Sequence, residues 1–256
     1  MKRFTVTGAW LVAFALTGCS ADGHDPSHAS ETEPIRVFAA ASLQPSFEEI
    51  AAEFTTAYPH LEVDISAAGS STLVHNLHAG APADVLATAD EASMQDAHAA
   101  ELIDPNSQGV FAANTLVGVV PADNPAQVSS LEEATEPGVK LVTCAPQVPC
   151  GALSESVAQA AGVDLHPVSE EHQVVEVLGK VRTGEADAGL VYATDARLAS
   201  EEVTVFPIAQ AEQQRNLYPI ARTTDAAHPE EADAFIEFVH GERGQAILSS
   251  HGFLEP

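Results

Sequence analysis

The chain has 256 residues, 10 of them Lys or Arg against 37 Asp or Glu, for a formal net charge of −27 at pH 7. A surface that acidic offers no basic face to a phosphate backbone, which excludes nucleic acid as a partner. About 220 residues follow the N-terminal region, enough for two lobes of roughly 100 residues each.

Lys2 and Arg3 precede an apolar stretch over residues 4–16 that is too short to span a bilayer. Small residues follow, so the segment reads as a secretory signal. Leu16-Thr17-Gly18-Cys19 resembles the lipobox at which bacterial signal peptides are cut and the new N-terminal cysteine is acylated. The expectation is a signal peptide over residues 1–18, a lipid on Cys19, and an extracytoplasmic protein anchored to the cell membrane. The alternative is an ordinary signal cut after Cys19. Loss of Lys2 and Arg3 leaves 8 basic residues against 37 acidic ones, a charge of −29. Residues 19–34 are rich in Ser, Asp, Glu and His and poor in apolar side chains, so they form a flexible tether.

The folded part opens with a strand over residues 35–40 and a helix over 43–57, which carries Phe47, Ile50, Ala51 and Phe54 at i, i+3, i+4 and i+7 and stops at Pro59. A strand over 61–67, a short helix over 72–79 stopped by Gly80, and a strand over 85–88 follow. This β-α-β-α-β order implies a mostly parallel sheet flanked by helices, with ligand sites at the carboxyl ends of its strands.

Ser42 and Ser70 fall at those ends, each between an apolar run and a helical pattern. A helix N-terminus offers unpaired N–H groups and the positive end of the macrodipole, and a serine there adds a hydroxyl donor. The candidate loops contain neither Lys nor Arg, so an anion there is held by neutral donors at contact distance. Salt screens the surface acidity beyond about 8–10 Å. His75 and His78, at i, i+3 with no acidic partner in their segment, read as solvated surface.

The second half continues with a strand over 116–120, a capping box of Ser130 with Glu133, a strand over 141–143, a helix over 151–161, a helix marked by Val174, Leu178 and Val181, and a strand over 188–192. Ala232, Phe235, Ile236 and Val239 lie on one face of a last helix that returns to the first lobe. Lobe 1 is thus expected over residues 35–113 and 224–256, and lobe 2 over 114–223. Two crossings make a hinge, and the cleft beside it is a ligand trap. If Cys19 carries lipid, Cys144 and Cys150 remain, bracketing a turn-rich loop. They are read as a disulfide, with buried thiols or a metal pair as alternatives.

Taken in order, Ala39-Ala40-Ala41-Ser42-Leu43, Ala68-Gly69-Ser70-Ser71-Thr72, Gly80-Ala81-Pro82-Ala83-Asp84-Val85, Val148-Pro149-Cys150-Gly151 and the run from Gly184 to Tyr192 resemble the signatures of extracytoplasmic molybdate-binding proteins, the receptors of ABC importers. The resemblance covers residues 35–256. It implies a type II, periplasmic-binding-protein-like fold, no catalysis, no cofactor, molybdenum only as the bound oxyanion, and a monomer that hands molybdate, and tungstate with it, to membrane permease subunits. It also implies hydroxyl and N–H contacts to the oxyanion from Ser42 and Ser70, N–H contacts from Cys150 and Val174, and a phenol contact from Tyr192. By itself Tyr192 reads as a core aromatic at a strand end. Cys150 stands where the family often has a small residue, and residues 170–173 follow the family only loosely. His172, beside the second-lobe contact, reads as a solvated loop residue, with pH tuning as the alternative.

Two rivals remain. A receptor for another oxyanion such as sulfate meets the same donor logic, whereas a protonated phosphate needs an acceptor that no Asp immediately beside Ser42 or Ser70 supplies. A serine hydrolase lacks its G-x-S-x-G elbow here, and no P-loop, G-x-G-x-x-G or H-E-x-x-H occurs.

Overall fold

The structure, a computed structural model, describes residues 33–256. The signal segment, Cys19 and most of the tether lie outside the described residues. In chain order the first half contains β1 (Ile35–Ala40), α1 (Gln44–Ala57), β2 (Val63–Ala68), α2 (Ser70–His78), β3 (Val85–Ala87), α3 (Glu91–Ala99) and β4 (Gly109–Asn114). The second half contains β5 (Leu116–Pro121), α4 (Leu131–Ala134), β6 (Leu141–Cys144), α5 (Pro149–Ala161), β7 (Ser169–Glu171), α6 (Val174–Arg182), β8 (Ala188–Tyr192), α7 (Ala193–Leu198) and β9 (Val203–Phe206). The chain closes with β10 (Asn216–Arg222), α8 (Pro229–His240) and α9 (Glu242–Ser250). Among the described residues no helix is long and apolar enough to cross a membrane.

The strands form two five-stranded sheets, ordered β2-β1-β3-β10-β4 and β7-β6-β8-β5-β9. In the first, β1 pairs in parallel with β2 and β3, while β10 is antiparallel to both β3 and β4. In the second, β6 pairs in parallel with β7 and β8, while β5 is antiparallel to both β8 and β9. Four strands of each sheet therefore run the same way, and one is reversed. The reversed strands, β5 and β10, are those the chain enters immediately after crossing between lobes.

Both sheets bury apolar runs under helices, as strands covered on both faces must. In the first lobe Phe47 and Phe54 of α1 are buried and meet Phe235 of α8 at ring-centroid distances of 6.1 and 5.3 Å. Withdrawing each such ring from water is worth about 1.5–3 kcal/mol. In the second, Val174, Val177 and Val181 of α6 are buried against the sheet.

The expected lobe boundary needs correction. The 114–223 segment assigned to lobe 2 includes β10, which instead sits between β3 and β4 in the first sheet. Pro219 hides the strand, because a residue without an N–H argues against a central ladder position. The sheet accommodates it at a register shift between Tyr218 and Pro219, where the Pro219 carbonyl still accepts from the Thr88 N–H at 3.0 Å. The chain thus recrosses just before Asn216. Asn114 and Asn216, the residues flanking the two crossings, face each other in register.

Candidate oxyanion cleft

The carboxyl ends of β1, β2, β6, β7 and β8 converge on one cavity between the sheets. Ser42, Ser70, Cys150, Val174 and Tyr192 all line it, together with His172. The first five are 1–4 % exposed, whereas His172 is exposed. The cavity volume is about 20 Å³. That is room for a compact ion or a water or two, and not for a sugar or a peptide. Its lining contains no Lys, Arg, Asp or Glu.

Each residue arrives there for a local reason. Ser42 sits in a short 3₁₀ turn (Ala41–Leu43) between β1 and α1. Ser70 is the first residue of α2, after the N-cap Gly69. Gly69 has φ −60° and ψ 139°, a backbone any residue adopts, so its glycine is there for space. A Cβ would stand 2.7 Å from the His172 carbonyl oxygen of the other lobe. The Ser71 hydroxyl donates to the Gln147 carbonyl at 3.1 Å, again across the cleft. The lobes are therefore closed on one another.

Cys144 and Cys150 form a disulfide that ties the end of β6 to the first turn of α5. The loop between them folds so tightly that a Cβ on Gly151 would lie 1.9 Å from the Ala145 carbonyl oxygen. Pro149 takes the first helical position, where a missing N–H costs nothing. The next N–H, that of Cys150, belongs to the first turn and has no intrahelical acceptor. Val174 opens α6 in the same way, behind a capping box of Gln173 and Glu176.

Two of the three cavity hydroxyls, those of Ser70 and Tyr192, accept from N–H groups of the protein. Ser70 Oγ accepts from the Ala89 N–H at 3.0 Å. Ser42 Oγ lies 3.1 Å from the Tyr218 hydroxyl, which is also 3.3 Å from Asn114 Nδ2. Tyr192 Oη accepts from Asn216 Nδ2 at 2.6 Å. A hydroxyl that accepts from the protein keeps its own proton for whatever occupies the cavity. Burial raises the pKa of Tyr192 well above the ordinary tyrosine value and raises that of Tyr218 as well. Burial therefore favours the protonated form of both phenols, the form that can donate.

The sequence-expected residues thus meet in one place, and the supporting ones were not foreseen. Tyr218, Asn114 and Asn216 lie at the strand ends that flank the hinge, and their side chains matter through partners 24 to 176 residues away. Ser154 Oγ and Thr194 Oγ1 are spent on protein partners, Cys150 O and Asn114 Nδ2. His75 and His78 are exposed on α2, and among the described residues no group of three or more His, Cys, Asp or Glu could hold a metal ion.

Comparison with known proteins agrees with this architecture. The family model of bacterial extracellular solute-binding proteins matches residues 35–254. The molybdate-binding protein ModA of Mycobacterium tuberculosis is 40 % identical over 254 residues, covering 98 % of this chain and 97 % of that protein. The solved periplasmic molybdate-binding protein of Azotobacter vinelandii superposes with a TM-score of 0.75 at 22 % identity, covering 87 % of this chain and 99 % of that one. The sulfate-binding protein SubI of Mycobacterium tuberculosis has the same fold, with a TM-score of 0.73 at 19 % identity over 87 % of this chain and 86 % of its own.

Proposed function

The chain belongs to the bacterial extracellular solute-binding proteins, and from the polarity of its cleft we propose that it captures molybdate, and tungstate with it, for delivery to the permease subunits of an ABC importer. The observation that carries this reading is that the hydroxyls of Ser70 and Tyr192 both accept from N–H groups of the protein, which leaves their protons for one small cavity that the Ser42 hydroxyl also lines. With the first-turn N–H groups of Cys150 and Val174 they make a donor set without formal charge. Such a set suits a tetrahedral dianion with no proton of its own and rejects one that must donate. Charge-assisted bonds from neutral donors are strong at contact distance, so the acidic surface does not forbid an anion. The role is binding, with no reaction to catalyse.

Sulfate is the second reading, because its receptors share the fold and it carries the same charge. Thermal unfolding separates them. At a thousandfold excess over Kd a ligand of the folded state adds about 4 kcal/mol, or about 8–16 °C in Tm. Molybdate and tungstate are expected to give that shift, sulfate a much smaller one, and phosphate none. Tyr192→Phe keeps the ring and removes one donor, costing about 1.5–3 kcal/mol of molybdate binding, while the apo protein stays folded and loses only the bond from Asn216. Equal shifts from sulfate and molybdate select the second reading, and no shift from any of these anions removes the first.

The lipobox around Cys19 supports a diacylated, N-acylated anchor, which supplies the several chains that stable membrane attachment needs. The receptor then works as a tethered extracytoplasmic monomer. Cys19→Ala moves it from the membrane fraction to the soluble one; an unchanged distribution removes the anchor.

A further inference from the structure

We propose that the two hinge asparagines, Asn114 and Asn216, set the direction of the hydroxyl protons in the cleft and so determine which protonation state of an oxyanion it accepts. The inference rests on the oxyanion reading above and goes one layer behind it.

The amide orientations follow from their neighbours. Asn114 Oδ1 accepts from the Thr115 N–H at 2.9 Å, so its Nδ2 faces Thr194 Oγ1 at 2.8 Å and Tyr218 Oη at 3.3 Å. Turning the amide over would set an NH2 against an N–H. Asn216 Nδ2 faces the Pro149 carbonyl at 3.3 Å and Tyr192 Oη at 2.6 Å. A carbonyl only accepts, so that amide is fixed too.

Counting protons then gives the rest. Tyr218 Oη receives a proton from Asn114 and must place its own. It is fully buried, and besides the bond from Asn114 the hydrogen bond it makes within 3.5 Å among the described residues is the one with Ser42 Oγ at 3.1 Å. Ser42 therefore accepts, and its proton faces the cavity. The relay runs Asn114 to Tyr218 to Ser42, and a shorter one runs Asn216 to Tyr192. Each lobe contributes one ligand-facing hydroxyl that is polarised from the hinge. Asn114 and Asn216 are paired in register across the two crossings, so the polarity is set where the lobes join. They are positioning residues and do not line the cavity themselves.

The test is calorimetric titration of the wild type, Asn216→Asp and Asn114→Leu with molybdate at pH 7.5 and with phosphate at pH 5.5, where the phosphate carries two protons. In Asn216→Asp the ionised carboxylate can only accept, so the Tyr192 O–H donates to it and the phenol oxygen turns a lone pair to the cavity. In Asn114→Leu the amide is lost at similar volume, which frees the Tyr218 proton. Each variant should lose at least tenfold in molybdate affinity and narrow the molybdate-to-phosphate ratio by at least tenfold. Equal losses for both anions, or an unchanged ratio, mean a merely structural role and overturn the inference. Wild type that binds no molybdate overturns the functional reading, and this inference with it. Neutron diffraction of the deuterated wild type with molybdate decides the matter even where a variant does not fold: a deuteron on Tyr218 Oη aimed at Ser42 supports the relay, and one aimed elsewhere refutes it.

Discussion

Asp84 in the first lobe and Asp195 in the second are almost equally withdrawn from water, at 1 % and 4 % exposure, yet the protein treats them differently. Asp84 Oδ2 accepts from the Arg36 N–H at 2.8 Å, and its Oδ1 accepts from the N–H groups of Ala227 and His228 at 2.7 and 3.1 Å. One carboxylate thereby joins β1 to the segment that leads into α8, closing the first lobe where the chain returns. Asp195 lies in the first turn of α7, and its Oδ2 has no hydrogen-bond partner among the described residues. Burial pushes it up to about 7. Depth is nearly the same in both, so the difference lies in the donors: three N–H groups meet the Asp84 carboxylate and none among the described residues meets Asp195 Oδ2. The first lobe uses its carboxylate as a joint, whereas the second keeps one with an unpartnered oxygen near the phenols of the cleft.

Exchanging each for asparagine tests the contrast, because the two effects have opposite sign. Asp84→Asn sets an NH2 against at least one backbone N–H and disturbs a set of three hydrogen bonds from backbone N–H groups, so it is expected to destabilise by about 3 kcal/mol in urea unfolding. A loss below about 1 kcal/mol would mean that the donors around Asp84 do not hold the lobe together. Asp195→Asn should stabilise at pH 8 by at most about 4 kcal/mol. Between the unfolded value near 4 and the folded value of about 7 the native state holds a proton that the unfolded chain has released. Wild-type stability contributed by this group is therefore greatest in acid, falls as pH rises through that window, and levels off above it. The difference between variant and wild type should grow from near zero at pH 4 to its maximum above pH 7. A difference independent of pH is the contrary result.

The sequence showed where the cleft is because its markers are local. Ser42 and Ser70 each follow an apolar strand and precede a helical period, so strand end, hydroxyl and helix start can be read within ten residues. The elements that escaped are those whose local signal is weak or contradictory. α3 has Asp90 as its cap, accepting from the Ser93 N–H at 2.9 Å, but a run of Ala, Met and polar residues gives little periodicity. β10 is interrupted by Pro219, which displaced the expected lobe boundary. Tyr192 reads from its own surroundings as a core aromatic, and only the family pattern gave it a second role. Tyr218, Asn114 and Asn216 carry no such pattern; their meaning is a register between strands about 100 residues apart, which composition and periodicity do not encode.

The two walls of the cleft are also held by different means, and the smallest of the expected effects tests that. On the first-lobe wall Ser70 is fixed by a hydrogen bond from the Ala89 N–H, within a tightly packed strand and helix. On the second-lobe wall the loop 145–149 rests on the disulfide, with one backbone bond from the Ala145 N–H to the Glu171 carbonyl at 2.8 Å and one internal turn from the Val148 N–H to Ala145. Replacing Cys144 and Cys150 together by Ser should cost about 2 kcal/mol in the chain-entropy account of so short a ring. It should cost molybdate affinity too, because the loop that presents the Cys150 N–H and meets Ser71 must then be ordered by the ligand. Ser71→Ala, by contrast, removes one contact between walls and leaves each wall intact. If the serine pair lowers stability without touching affinity, the loop is held by its hydrogen bonds and by the close packing at Gly151, and the disulfide serves the fold and not the site. Two free thiols besides Cys19 in unreduced, denatured protein would remove the covalent half of the contrast altogether.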